Sequence, residues 1–153
     1  MKNFEFHNRV IGDVIAKLNE LDIDLFLIIT SEGSDRMTRF IPGVDTVGSG
    51  AFFFTKEGKK YGVASTIDAQ DVEESGLFDE VIRYPDYDET VAELLKKLIP
   101  KRVAMDFSEN DPECDGLTLG RYQHFETQIK GQMEFEEVSS DLFIPQVKAA
   151  NCQ

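Results

Sequence analysis

Hydrophobic positions change their period along the chain, and each change marks an element. From about Phe6 to Leu21, Val10, Val14, Leu18 and Leu21 recur at helical spacing and Ile11 and Ile15 widen the stripe, which predicts an amphipathic helix. Asp22-Ile23-Asp24 then turns the chain into Leu25-Phe26-Leu27-Ile28-Ile29. An unbroken apolar run has no polar face, so this segment is predicted to be a central strand covered on both sides. Ser31 to Gly50 is loop-like, punctuated by Gly33, Pro42, Gly43, Gly48 and Gly50. Phe52-Phe53-Phe54 and Tyr61-Gly62-Val63-Ala64, separated by the polar Lys56 to Lys59, read as a β-hairpin. A short helix is expected over Asp68 to Ser75, with Asp68 capping it.

The second half alternates again. Glu80 to Tyr84 reads as a strand, and Tyr87 to Leu98 as a helix with Val91, Leu94, Leu95 and Leu98 inward, stopped by Pro100. Arg102 to Met105 is a short strand, followed by a polar loop from Ser108 to Gly116 and a helix from about Leu117 to Ile129. Glu134 to Val138 reads as a strand, and Ser139-Ser140-Asp141 open a helix over Leu142 to Ala150 that tolerates Pro145 in its first turns. Helices alternate with strands and one hairpin breaks the alternation. The pattern predicts an α/β fold: a single three-layer domain over residues 1–153, with a mixed β-sheet and helices on both faces. No internal repeat and no low-complexity linker interrupts it.

Composition narrows the partners. At 153 residues the chain can bury a core without disulfide or metal staples, and its formal net charge is −13. A polyanion is repelled by nucleic acid and anionic lipid, which need Lys and Arg to displace counterions, so neither partner is expected. The apolar run from Leu25 to Ile29 is far too short for a membrane span, and Met1 to Arg9 lack the apolar segment of a signal peptide. Cys114 and Cys152 stand in unlike contexts without metal-ligand spacing. They read as reduced thiols, and the expected location is cytoplasmic.

Candidate chemistry thins out under inspection. Asp111, Glu113, Asp115 and Gly116 resemble the opening of a calcium loop, but Tyr122 stands where a bidentate Glu is required and Pro112 interrupts the loop. Turn hydrogen bonds from Ser108 and Asn110, with Asp115 capping the next helix, account for the segment better. His7 and His124 have no partner ligand at metal spacing and read as surface residues. Cys114 lies among Asp111, Glu113 and Asp115, whose charge suppresses a thiolate. Gly48-Ser49-Gly50 leads into a strand rather than a helix, so it is no phosphate loop. One stretch keeps functional promise: Ser34 to Gly43, on the loop after the central strand, where α/β sheets form ligand crevices. Arg36 and Arg39 are cations in an anionic chain, suited to a carboxylate or an acidic partner, unless the loop satisfies them internally.

Taken in order, Arg9 to Leu21, then "GSDRMTRFIPGV", then the hairpin ending near Ser65 resemble the N-terminal domain shared by creatinase, prolidase and aminopeptidase P. Arg39-Phe40-Ile41-Pro42-Gly43 stands where that family often has Tyr-Leu-Thr-Gly, and departs from it at Pro42 and Val44. "VAMDFSENDPECDGLTLGRY", Val103 to Tyr122, resembles the Ser-Glu-Asn-Asp and Asp-Gly-Leu-Thr runs of a bacterial Xaa-Pro aminopeptidase or Xaa-Pro dipeptidase branch. The resemblance implies a creatinase N-terminal-like, ribonuclease H-like fold with no catalytic residue and no cofactor in this chain. It implies a separate pita-bread catalytic domain, holding a divalent metal pair (Mn, Co or Zn) through Asp, His and Glu ligands that the sequence lacks. The implied partners are that domain, neighbouring subunits of a homo-oligomer and a proline-containing peptide substrate. Arg36, Arg39 and Phe40 would then be substrate-entrance or interface residues.

Two other readings fit parts of the pattern. Alternating elements also suit a stand-alone flavodoxin-like or receiver-like binding or regulatory domain, although Leu25 to Ile29 ends in Thr30-Ser31 rather than in an acidic phosphoacceptor. An interaction protein could expose Phe52 to Phe54, but sheet burial explains them more simply.

Overall fold

In the computed structural model, which describes residues 4–152, the sequence pattern becomes fifteen short elements around one sheet. They begin with α1 (Glu5–Leu21), β1 (Leu25–Ser31), the single turn α2 (Met37–Phe40), β2 (Ser49–Thr55), β3 (Lys60–Ala64) and α3 (Thr66–Glu74). Next come β4 (Glu80–Arg83), α4 (Tyr87–Leu98), β5 (Arg102–Met105), a 3-10 turn (Pro112–Cys114) and α5 (Leu119–His124), which continues as a π-helix (Phe125–Lys130). β6 (Glu136–Ser139), a second 3-10 turn (Ser140–Leu142) and α6 (Ile144–Ala150) complete the chain. The reading of the extreme N-terminus falls partly on residues 1–3, and Gln153 likewise lies outside the described residues.

The six strands run in the order β4-β3-β2-β1-β5-β6. β2 is antiparallel to both β1 and β3, whereas β1–β5, β5–β6 and β3–β4 pair in parallel. Each apolar run divides between the two faces with period two. Phe26, Ile28, Phe52 and Phe54 pack with Val10, Val14 and Leu18 of α1, Val72 of α3 and Val147 of α6. Leu25, Leu27, Ile29 and Phe53 pack on the other side with Val91, Leu94 and Leu95 of α4 and with Phe125 and Ile129. Two apolar interfaces on one sheet are the predicted three layers. Phe52, Phe53 and Phe54 are fully buried, which removes the reading of them as exposed interaction residues. The antiparallel β2 and the strand order also depart from the all-parallel sheet of a flavodoxin-like or receiver-like fold.

Several local expectations need correction. Helix α3 starts two residues early because Ser65 is its cap, accepting from the Asp68 N–H at 3.3 Å; Asp68 itself reaches elsewhere. Asp115 does not cap α5: its Oδ1 accepts from the Ser108 N–H at 3.0 Å, and Thr118 occupies the N-cap position. Asp111 caps the 3-10 turn instead, accepting from Glu113 N–H at 3.0 Å. His7 is half-buried rather than on the surface, whereas His124 is exposed and lies 2.8 Å from Asp88 Oδ1. Among the described residues no helix is long and apolar enough to cross a membrane.

Candidate functional site

The chain leaves β1 for the β2 side of the sheet and later returns, by way of β5, on the opposite side of β1. The carboxyl ends of β1 and β5 therefore flank a topological switch point, where loops diverge and α/β sheets form crevices. The loop carrying Arg36, Arg39 and Phe40 starts here. Its first turn is built from its own side chains. The Asp35 N–H donates to Thr30 Oγ1 (3.2 Å), Asp35 Oδ1 accepts from the Met37 N–H (3.0 Å), and Thr38 Oγ1 donates to the Asp35 carbonyl (2.9 Å).

Asp68 fixes the far end of the loop. Its two carboxylate oxygens accept from the N–H groups of Val47 and Gly48, both at 2.9 Å, and Oδ2 also accepts from the Ser65 hydroxyl at 3.0 Å. Tyr84 and Tyr87 then donate to the Ser49 and Gly50 carbonyls, each at 2.9 Å. In the middle, Gly43 has φ +66° and presses on His7, where an added Cβ would come within 2.2 Å of the imidazole. His7 Nδ1 lies 3.1 Å from the Phe40 carbonyl. The loop is thus a braced structure, not a free strap.

The three predicted residues lie together on it but meet different surroundings. Arg36 is exposed. Arg39 is exposed as well, and its Nε lies 3.7 Å from Asp45 Oδ1, a loose surface pair worth little. Phe40 is half-buried: its ring lies edge-on to Phe6 at 6.2 Å, and the Lys148 ammonium sits 5.6 Å above it. The loop therefore satisfies Arg39 only weakly and leaves the Arg36 side chain out in solvent.

Beneath the loop lies a feature the sequence reading missed. Asp106 directly follows β5, and Asp35 and Asp106 are each only 1% exposed. They face one another, and Asp35 Oδ2 and both Asp106 oxygens have no hydrogen-bond donor among the described residues. Burial drives both carboxyls above the usual carboxylate range, Asp106 well above it, with the charge of Asp35 adding to the rise at Asp106. The one available signal was an acid immediately after the apolar Val103-Ala104-Met105. Cys114 is buried nearby, and its thiol is pushed up to about 12, chiefly by burial and then by Asp111. The acidic surroundings were legible in sequence; the burial, which matters more, was not.

Metal chemistry finds no donor set here: among the described residues no group of three or more His, Cys, Asp or Glu side chains could hold a metal ion. The apolar groups at this edge are more suggestive. Val47, whose N–H Asp68 holds, and Ile67, which precedes Asp68 in the chain, are 69% and 77% exposed, and Leu119, 71% exposed, lines a hollow with Phe107, Leu117 and Tyr122.

Comparison with known proteins decides the family. The Creatinase/Prolidase N-terminal domain matches residues 11–143. The chain belongs to that family. No curated protein sequence matches it. Solved structures share the fold of this creatinase/prolidase N-terminal domain. One is an Xaa-Pro dipeptidase from Bacillus anthracis, 18% identical with a TM-score of 0.65, where the match covers 89% of this chain and 34% of the other. A proline dipeptidase from Streptococcus pneumoniae is 14% identical with a TM-score of 0.67, covering 91% and 96%. The Creatinase/Prolidase N-terminal domain of an X-Pro dipeptidase from Streptococcus pyogenes is 12% identical with a TM-score of 0.64, covering 93% and 98%. The domain thus spans about a third of the Bacillus anthracis chain and nearly all of the two streptococcal ones.

Proposed function

We infer that this domain is the non-catalytic N-terminal part of a cytoplasmic Xaa-Pro metallopeptidase of the aminopeptidase P or prolidase type, in which it shapes the substrate entrance and contributes to a homo-oligomer. The observation that carries the reading is the family match over residues 11–143, joined to a fold shared with an Xaa-Pro dipeptidase of which the match covers 34%. In this reading a separate catalytic domain supplies the divalent metal pair and the hydrolytic chemistry. This domain's own residues position and exclude.

The braced loop suits that role. Arg36 and Arg39 place two cations at the carboxyl edge of the sheet, in a chain whose net charge is −13. There they can meet the terminal carboxylate of a short peptide or an acidic surface on a neighbouring subunit. Val47 and Ile67 supply exposed apolar area on the same edge for a docked partner. Phe40, held by Phe6 and Lys148, stiffens the segment between the two arginines and Pro42.

The test has two arms. The isolated domain, given Mn²⁺ or Co²⁺, should not turn over an Xaa-Pro peptide; turnover would overturn the assignment of chemistry to another domain. In the protein carrying both domains, Arg39→Ala should raise KM for a short Xaa-Pro peptide several-fold with kcat little changed, or else alter the oligomer size in sedimentation. If KM and oligomer size both stay at wild-type values, Arg39 has neither role.

A further inference from the structure

The carboxyl groups of Asp35 and Asp106 pose a problem in elementary chemistry. Two carboxylates, each 1% exposed, face each other with three oxygens that have no hydrogen-bond donor among the described residues. Ionised carboxylates only accept, so two of them cannot bond, and like charges in a low-dielectric interior repel strongly. The groups around them compensate only in part: the Met37 N–H donates to Asp35 Oδ1, and burial still wins at both carboxyls. Ser140, also fully buried, lies beside Asp106 and draws it down slightly, but its hydroxyl makes no well-formed hydrogen bond there. From the 3-10 turn, the Cys114 thiol lies near Asp106 but is directed at Asp111 Oδ2, 3.5 Å away. Thr30 and Met37 engage Asp35 only through the backbone N–H of Asp35 and Oδ1. Among the described residues no lysine, arginine or histidine figures among the groups that act on either carboxyl; the neighbouring Arg36 is exposed, and Glu113 pairs with Lys148. The pair cannot move apart easily either, because Gly116 lies against Asp35, where an added Cβ would come within 2.4 Å of Oδ1.

We propose that Asp35 and Asp106 share a single proton, and that this acid pair latches the β1–β2 loop to the segment after β5, so that losing the proton loosens the turn carrying Arg36, Arg39 and Phe40. A proton on one carboxyl converts repulsion into an O–H···O⁻ bond, among the strongest a protein makes. It joins the two loops that diverge at the switch point between β1 and β5. This inference does not depend on the peptidase reading, since it concerns only the groups within this domain.

The sign of the effect follows from linkage. A carboxyl whose folded value lies above its unfolded value of 3.8 stabilises fully below that value, and the contribution is lost as pH rises through the folded value. An amide in place of one carboxyl donates the same hydrogen bond at every pH. The wild-type chain should therefore lose thermal stability relative to Asp106→Asn as pH rises from about 5 to about 9. The Met37 amide, which donates to Asp35 Oδ1, should lose protection over the same range in the wild type and not in the variant, after correction for base-catalysed exchange. Infrared spectroscopy of the wild type should show a protonated carboxyl band at neutral pH that Asp106→Asn removes. The half-buried Glu137 is also raised, by burial first, so Glu137→Gln serves as the control that leaves the band in place. If Asp106→Asn does not fold, Asp35→Asn carries the same comparison. A wild-type spectrum without the band, or a stability gap between wild type and variant that does not change with pH, overturns the proposal.

Discussion

Asp68 illustrates how a single carboxylate can organise a loop twenty residues away in sequence. It receives two backbone N–H groups and a serine hydroxyl while 3% exposed, so its removal leaves three part-buried donors without their shared acceptor. Hydrogen bonds to charged groups are worth roughly 1.5–3 kcal/mol each, and buried donors left unpaired cost more than the mean. Asp68→Ala should therefore destabilise the domain by about 2–4 kcal/mol, read from the denaturant midpoint at constant slope. Sequence alone placed Asp68 at a helix start, which is nearly right for its position and wrong for its task. A short acid near a helix N-terminus has a local explanation at hand, and nothing in the string marks the distant Val47 and Gly48 amides as its partners. Arg36, Arg39 and Phe40 were legible as a group because the loop after an apolar strand is a physical place, not a contact. What each touches was not.

At the scale of the element, the elements best foreseen are those whose signal is local. Helix α4 runs over Tyr87–Leu98 as expected, with Asp86 accepting from the Glu89 N–H at 3.0 Å and acidic residues in its first turn. Since Asp86 is exposed and its bond is confined to the cap, Asp86→Ala should cost only about 1 kcal/mol. The loss should appear in the thermal midpoint without changing the cooperativity of unfolding. A gap as large as that of Asp68→Ala would mean that Asp86 has a partner beyond the helix. The helix expected over Leu117 to Ile129 fared differently. It begins at Leu119 and widens into a π-helix from Phe125, and this keeps Phe125 and Ile129 against the sheet face. Periodicity of 3.6 cannot announce a π segment, because the extra residue per turn is imposed by what the helix packs on.

For the whole molecule, one surface carboxylate ties three distant segments. Asp24 accepts from the N–H groups of Lys101 and Arg102 at 2.8 and 3.0 Å, and pairs with Lys56 of the hairpin turn at 2.9 Å. Partial burial raises its ionisation equilibrium, but the Lys56 and backbone hydrogen bonds together outweigh that and hold it below the usual value. A depressed folded value gives stability that is present above the unfolded 3.8 and is lost as pH falls through the folded value. Asp24→Asn should thus be less stable than wild type at neutral pH by roughly 1–2 kcal/mol, and the gap should close in acid. Denaturation curves across a pH series test this, and a gap that persists below about pH 2 would contradict it. The sign is opposite to that of the Asp35–Asp106 pair, so the two contributions separate cleanly by variant.

The linear pattern was enough to determine the layers: an apolar run without a polar face needs cover on both sides, and amphipathic helices between strands provide it. It also carried the family, through ordered motifs from the early loop to Tyr122. Only the folded chain decided that β2 runs antiparallel within an otherwise parallel sheet, that Asp68 reaches across to the loop, and that two acids 71 positions apart meet under Gly116. The physical reason is range. Periodicity and capping act over one or two turns and leave their mark in neighbouring residues, whereas a carboxyl pair exists only where two strand ends are brought side by side.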